Sequence, residues 1–304
     1  MPKFRLGTRG SPLALTQADM VREALLATHA GVLDDVEIVP MRTTGDRVQD
    51  RALAEVGGKA LWTKELDRAL LAGEIDCAVH SMKDVETVRP HGITIAAILA
   101  RADVRDRLVG AASVEALREG AVVGTSSPRR AAQLRRLRPD LRIVLFRGNV
   151  ETRLAKLAAG EVDATILAAA GLERLRRHDV GVAIPLDAML PAPAQGAVGI
   201  ECRRDDTHTH MLLARIDDPQ THACVLAERQ LLALLKADCH SPVAALATIE
   251  GAILTLEAEL LSADGKQRVH CQRSGAPLGP AVPTAVARDL LADAPPEIGK
   301  LFGG

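Results

Sequence analysis

Tyrosine is absent from this 304-residue sequence, and aromatic side chains are limited to Phe4, Trp62, Phe146 and Phe302. Binding single-stranded nucleic acid by base stacking needs aromatic faces, so that mode is excluded. An excess of one charge is lacking too: 38 Lys and Arg stand against 39 Asp and Glu, a formal net charge of -1. Such a chain carries no dominant field for nucleic acid or a membrane surface. The uncharged run 188–200 is too short and too rich in proline to span a bilayer. The opening MPKFRLGTRGSPLAL has charges at positions 3, 5 and 9 and no apolar targeting core. Five cysteines, at 77, 202, 224, 239 and 271, are odd in number and lack CxxC spacing. Neither a disulfide framework nor a metal site is signalled, and a reducing cytoplasm is the expected location.

What is present is an ordinary globular composition, 47% hydrophobic and 25% charged, in a chain long enough for two or three domains. Lysine is scarce: only eight of the 38 basic residues are Lys, and the rest are Arg. Arginine grips carboxylate or phosphate with a planar two-pronged fork. Compositional bias accounts for most of these residues, so only their placement assigns them a function.

The pattern that places them is an internal duplication. LLAGEIDCAV (70–79) and LAAGEVDATI (157–166) agree as L-x-A-G-E-[IV]-D. Each reads as the end of an amphipathic helix, a glycine stop and an apolar strand. Upstream, FRLGTRGSP (4–12) and AVVGTSSPR (121–129) share a strand followed by Gly-Thr and Ser-Pro, with VEIVPM (36–41) and RIVLFR (142–147) as second strands. Alternation of strand and helix predicts two similar α/β domains with mainly parallel sheets, facing one another across a cleft. Ligands of such sheets lie outside the carboxyl ends of the strands. Arg9, Lys83, Arg129, Arg130 and Arg147 all fall at such ends, which points to a polyanionic ligand. Beyond residue 180, a Pro/Gly/Ala connector, a helix at 218–236, a strand at 252–261, a DG turn at 264–265 and a helix at 281–292 predict a smaller C-terminal α+β domain. Segment 43–60, polar and without period, reads as a mobile loop.

Three groups could carry chemistry. GTSSPRR (124–130) offers Ser127 as a cap, Pro128 for the first turn, and two arginines, which suits an anion seat and equally a plain helix cap. Asp84, beside Lys83, could balance a developing cation in the ligand or simply cap a helix. His80 reads as a packed strand residue. Cys239 stands in a loop between Asp238 and His240, where a thiolate could act as nucleophile, whereas the other four cysteines fit buried strand or helix positions.

The set GTRGSPLAL, TTGD, GGKALWTKEL, AVHSMKD, GTSSPRR, FRGNVETRL, AAAGLERL, AQGAVGIECR and DCHSPVA, in that order, resembles the porphobilinogen deaminase (hydroxymethylbilane synthase) family over nearly the whole chain. The resemblance implies a cytoplasmic, monomeric transferase. It would condense four porphobilinogen molecules head to tail into hydroxymethylbilane, with release of ammonia, for tetrapyrrole and haem biosynthesis. It implies a dipyrromethane cofactor joined by a thioether to Cys239, with no metal and no nucleic-acid or membrane partner. Asp84 would contact pyrrole N–H groups and stabilise the cationic azafulvene-type species formed as ammonia leaves. Lys83, Asp84, Ser127, Arg129 and Arg130 would bind the cofactor. Arg9, Ser11, Arg147, Arg153 and Arg174 would hold the acetate and propionate groups of substrate and growing chain. The implied fold has two periplasmic-binding-protein-like α/β domains, 1–98 with 196–216 and 99–195, and a C-terminal α+β domain, 217–304, carrying the cysteine.

Some positions depart from the family pattern. Ala237-Asp238 replaces the usual Gly-Gly before the cysteine, Trp62 stands where Phe is usual, and Glu86 follows KDV in place of Pro. The loop then cannot rely on glycine conformations, and the Asp238 carboxylate would raise the thiol pKa. Two other classes compete: a non-enzymatic carboxylate-binding protein built on the same duplicated units, and a nucleic-acid regulator. The second needs a basic recognition element that is not found.

Overall fold

The computed structural model describes residues 3–43 and 63–302. Trp62 and, past Thr43, the segment read as a loop lie outside the described residues. Contacts divide the chain into two compact units, Met1–Ala102 with Gly196–His222, and Asp103–Gln195 with Ala223–Gly304.

The first unit contains β1 (Phe4–Arg9), α1 (Pro12–Thr28), β2 (Val36–Met41), α2 (Lys64–Leu71), β3 (Cys77–Ser81) and β4 (Ile93–Ile98). The chain then builds β5 (Asp106–Val109), β6 (Val122–Gly124), α3 (Pro128–Leu137), β7 (Arg142–Val144), α4 (Val150–Ala158), β8 (Ala164–Ala168), α5 (Ala169–Arg174) and β9 (Val182–Ala183) in the second unit. It returns to the first with β10 (Val198–Arg203) and α6 (Thr207–Ala214). The two five-stranded sheets have the orders β2-β1-β3-β10-β4 and β7-β6-β8-β5-β9. Each has three parallel strands, then one antiparallel strand in fourth place. In the first sheet that strand is β10, which arrives after the second sheet is complete; in the second it is β5, which precedes the rest.

The duplicated motif has a physical role that is the same in both halves. Gly73 and Gly160 take φ +70 and +77, a left-handed turn open to glycine at no steric cost. Glu74 N then donates to Ala69 O at 2.9 Å, and Glu161 N to Lys156 O at 3.1 Å, closing α2 and α4. The Asp that ends each motif accepts from the first parallel strand: Arg5 N to Asp76 at 2.7 Å, Val122 N to Asp163 at 2.6 Å. Helix stop, crossover and strand register are thus set by one short string of residues.

Both faces of each sheet are covered, as parallel strands require. In the first unit Ala18, Val21 and Leu25 of α1 pack on one face and Leu66, Ala69 and Leu70 of α2 on the other. In the second, Leu134 of α3 and Leu172 of α5 do the same for opposite faces. A fully buried leucine of this kind contributes roughly 1.5–3 kcal/mol. The expected strand at 142–147 pairs only over Arg142–Val144, because β7 is an edge strand and its one neighbour, β6, ends at Gly124.

The C-terminal part comprises α7 (Pro219–Leu234), β11 (Val243–Glu250), β12 (Ile253–Leu261), β13 (Arg268–Gly275), α8 (Ala281–Ala292) and α9 (Pro296–Gly299). The three strands form an antiparallel sheet whose core receives Leu231 from α7 and Val286 and Leu290 from α8. The chain is therefore of the α/β class, with two helix-flanked sheets and a small C-terminal α+β part. No helix among the described residues is long and apolar enough to cross a membrane.

Candidate functional site

In the first unit β1 and β3 are parallel neighbours, so their carboxyl ends share one edge of the sheet. Arg9 is the last residue of β1 and half-buried. Ser11 caps α1, accepting from Ala14 N at 3.3 Å with Pro12 in the first turn. After β3 the chain makes a single 3-10 turn, Met82–Asp84, that holds Lys83 and Asp84 half-buried. Met82 itself is buried against Gly199 of β10, where a Cβ would lie 2.1 Å from its sulfur. Gln17 of α1 donates to Ser81 Oγ at 2.8 Å, tying the helix to the end of β3. Among the described residues the Asp84 carboxylate has no hydrogen-bond or ion-pair partner, so it is not spent as a cap.

In the second unit the ends of β6, β7 and β8 share an edge in the same way. Ser127 caps α3 through its hydroxyl, accepting from Arg130 N at 3.4 Å. Arg147 lies three residues past β7, half-buried. Arg153, on α4, donates to Gly148 O at 2.9 Å and to Ser126 Oγ at 3.3 Å, which brings α4 to the loop before α3. Arg174 closes α5, and burial pushes its guanidinium pKa down against the opposing charge of Glu173.

Arg129 and Arg130 behave differently from a pair of solvated strand-end cations. Both are buried, and both bind Asp106 of β5. Arg130 donates to Asp106 at 2.6 Å and to Ile166 O at 3.0 Å. Arg129 donates to Asp106 at 2.8 Å and to Leu190 O at 2.9 Å, while its buried Nε has no partner among the described residues. Gln195 adds a third donor to Asp106 at 2.9 Å. Burial alone would raise the Asp106 pKa, but the two guanidiniums outweigh it and hold this carboxyl well below the usual range. From the same helix Gln133 donates to Glu259 of β12 at 2.6 Å, and Arg268 of β13 meets Glu259 at 2.5 Å. The helix that carries Ser127, Arg129 and Arg130 is thus tied to the C-terminal sheet. Sequence reasoning missed Asp106, Gln195 and Glu259; the one available signal was a carboxylate opening the apolar run DRLVG.

A second buried network lies beside the Met82–Asp84 turn. Glu201 of β10 is wholly buried and accepts from Arg89 at 2.7 and 2.8 Å, with His80 Nε2 at 3.2 Å from the same carboxylate. Burial would raise the Glu201 pKa, yet His80 and Arg89 outweigh it and bring it down to about 2.

Cys239 stands in the loop between α7 and β11, exposed, whereas Cys77, Cys202, Cys224 and Cys271 are buried. Burial pushes the Cys77 thiol well up and the Cys202 thiol to about 11. The loop bends without glycine. Lys236 takes the left-handed conformation at φ +51, Ala237 is buried, and the Asp238 carboxylate accepts from His240 N at 2.8 Å. That carboxylate is committed to a local turn, stabilising the loop in place of glycine freedom. No cluster of His, Cys, Asp and Glu suited to a metal occurs among the described residues.

Two family models match the chain: "Porphobilinogen deaminase, dipyromethane cofactor binding domain" over residues 4–211, and "Porphobilinogen deaminase, C-terminal domain" over 222–291. The chain belongs to the porphobilinogen deaminase family. The deaminase of Sphingopyxis alaskensis is 58% identical over 98% of this chain and 96% of its own length. That of Paracoccus denitrificans is 50% identical over 96% of this chain and 95% of its own. The cofactor-binding model takes in both helix-flanked sheets, and the C-terminal model takes in Cys239. Among solved structures, the periplasmic VFT2 domain of Bordetella pertussis BvgS is 16% identical over 71% of this chain and 86% of that one, with a TM-score of 0.43. A periplasmic sulfonate-binding protein from Methylobacillus flagellatus is 17% identical over 75% and 67%, with a TM-score of 0.38.

Proposed function

We propose that this chain condenses four porphobilinogen molecules head to tail into hydroxymethylbilane, on a dipyrromethane primer held by a thioether to Cys239. As a member of the porphobilinogen deaminase family it is a transferase of tetrapyrrole biosynthesis with a dipyrromethane cofactor. The observation that carries the residue assignment is that Cys239 alone of the five thiols is exposed. The donors fit the group as well: a pyrrole bearing two carboxylates calls for several arginines, and buried Arg129 keeps an unused N–H. When bound, the dipyrromethane supplies a nucleophilic pyrrole terminus from which the chain grows.

At each addition the aminomethyl C–N bond of porphobilinogen breaks and ammonia departs with the bonding pair. The carbon so freed would be taken up by the pyrrole terminus that the dipyrromethane supplies, with loss of a ring proton, and after four additions water would release the hydroxymethyl product from the primer. Asp84, whose carboxylate has no partner among the described residues, faces the positive charge that develops as ammonia leaves. Lys83, Ser127, Arg129 and Arg130 hold cofactor carboxylates; Arg9, Ser11, Arg147, Arg153 and Arg174 hold those of the substrate and growing chain. In this reading 1–98 with 196–216, 99–195 and 217–304 are three functional domains, and the protein is a cytoplasmic monomer that binds neither nucleic acid nor membrane. Intact-mass measurement of the purified protein tests the assignment. The mass should exceed that of the sequence by one dipyrromethane, and Ehrlich's reagent should turn the protein pink. A sequence mass with no colour would leave the carboxylate-binding alternative.

A further inference from the structure

Arg89 lies five residues beyond Asp84, in a segment that forms no helix or strand, yet its side chain is only 9% exposed. Its five N–H donors find five acceptors. Nε and Nη2 grip Glu201 at 2.7 and 2.8 Å, Nη1 reaches Glu86 at 2.8 Å and Thr63 at 3.3 Å, and Nη2 also binds Asp67. Glu86 is held a second time by the Thr63 hydroxyl, at 2.7 Å. His80, two residues before the Met82–Asp84 turn, lies 3.2 Å from the same Glu201 carboxylate. Both flanks of the turn therefore converge on one buried carboxylate of β10.

The turn itself is closed by Val85 N donating to Met82 O at 3.3 Å, and Met82 N is held by Ala197 O at 3.1 Å. Among the described residues Asp84 has no side-chain partner to fix it, so its position is that of the backbone that carries it. The family pattern places proline after KDV, a residue that restrains the backbone by itself. Here Val85 keeps φ -89 and ψ 130, the extended conformation of a residue before proline, although Glu86 follows it. Restraint that proline would supply through its ring is supplied here by ion pairing.

We propose that Arg89, with Glu86 and Glu201, is a positioning residue that fixes the Met82–Asp84 turn, and so the placement of Asp84, without touching substrate. This rests on the reading of Asp84 given above. Removing Arg89 outright leaves three carboxylates without their cation and threatens the fold, so the informative variants are Arg89→Lys and Glu86→Gln. Lysine keeps the charge but cannot reproduce the fork, and glutamine keeps the shape but loses one ion pair.

Both variants should load cofactor, as shown by intact mass, and keep KM for porphobilinogen within about twofold. Their kcat should fall on the order of 10-fold to 100-fold, the effect of a small misplacement of a reacting group. Amide hydrogen exchange over residues 82–86 should speed up while that of β1 stays unchanged. Unaltered kcat and unaltered exchange in folded variants would overturn the proposal, as would a loss of kcat fully matched by lost adduct and a lowered melting temperature. Asp84→Asn run in parallel separates the two ideas. If that variant turns over normally, the role of Asp84 fails, while the exchange data still decide whether Arg89 holds the turn.

Discussion

Asp106, at the start of β5, accepts a hydrogen bond from Arg130 Nη2 at 2.6 Å, and both residues are buried. Because Arg129 and Gln195 bind the same carboxylate, one buried anion orders the whole start of α3. Asp106→Asn should cost about 3–5 kcal/mol, since it strands two buried guanidiniums. The pH dependence follows from the sign of the shift. A carboxyl held below its unfolded value of about 3.9 contributes stability above that pH and loses it as the pH falls further. Urea unfolding between pH 7 and pH 3 should show this acid slope in the natural protein and a flatter one in the variant. Equal slopes would assign the acid sensitivity to other carboxyls.

Asp84→Asn retains size and hydrogen-bonding capacity but removes the charge. Turnover should fall by 10²–10³, the equivalent of roughly 3–4 kcal/mol for a well-placed electrostatic group. The melting temperature should hardly move, because Asp84 has no partner among the described residues to lose. Near-normal turnover would remove Asp84 from the chemistry.

Arg147→Leu addresses the strand-end arginines. Arg147 lies beyond the paired part of β7 and is half-buried, so its loss should impair chain elongation far more than folding. Turnover and thermal unfolding measured on the same preparation decide the matter. Parallel loss of both would make it a structural ion-pair residue.

Cys239→Ser should lack the adduct and be nearly inactive, since a thiolate forms near neutral pH and an alkoxide does not. A thioether does not exchange with added thiols, so the adduct on the natural protein should survive reduction and denaturation. Alkylation of native cofactor-free protein should label Cys239 and spare the four buried thiols; the Cys202 thiol, pushed up by burial to about 11, is the least reactive kind. Adduct on Cys77, Cys202, Cys224 or Cys271 would overturn the attachment point.

Much of the architecture was legible because it is written in local residues. The L-x-A-G-E-[IV]-D repeat carries its own helix stop, glycine turn and strand clamp within a few positions, and Asp76 and Asp163 use it alike. Ser11 and Ser127 cap helices as their Ser-Pro context requires. The exposed loop position of Cys239 followed from the break between an amphipathic helix and a proline-led strand.

What the sequence could not disclose is how its charges pair. GTSSPRR reads as two outward arginines, yet both guanidiniums meet an aspartate more than 20 residues earlier. Glu86 reads only as a departure after KDV and nothing marks Arg89, yet both end on a network centred on Glu201, 112 residues from Arg89. Caps, turns and periodicity depend on neighbours a few residues apart, so composition and order determine them. A buried ion pair depends on which distant strands become neighbours in the sheet. The order β2-β1-β3-β10-β4 sets Glu201 beside His80, and the order β7-β6-β8-β5-β9 sets Asp106 beneath α3. Only the folded chain makes that choice, because burial makes each unpaired charge too costly to leave alone.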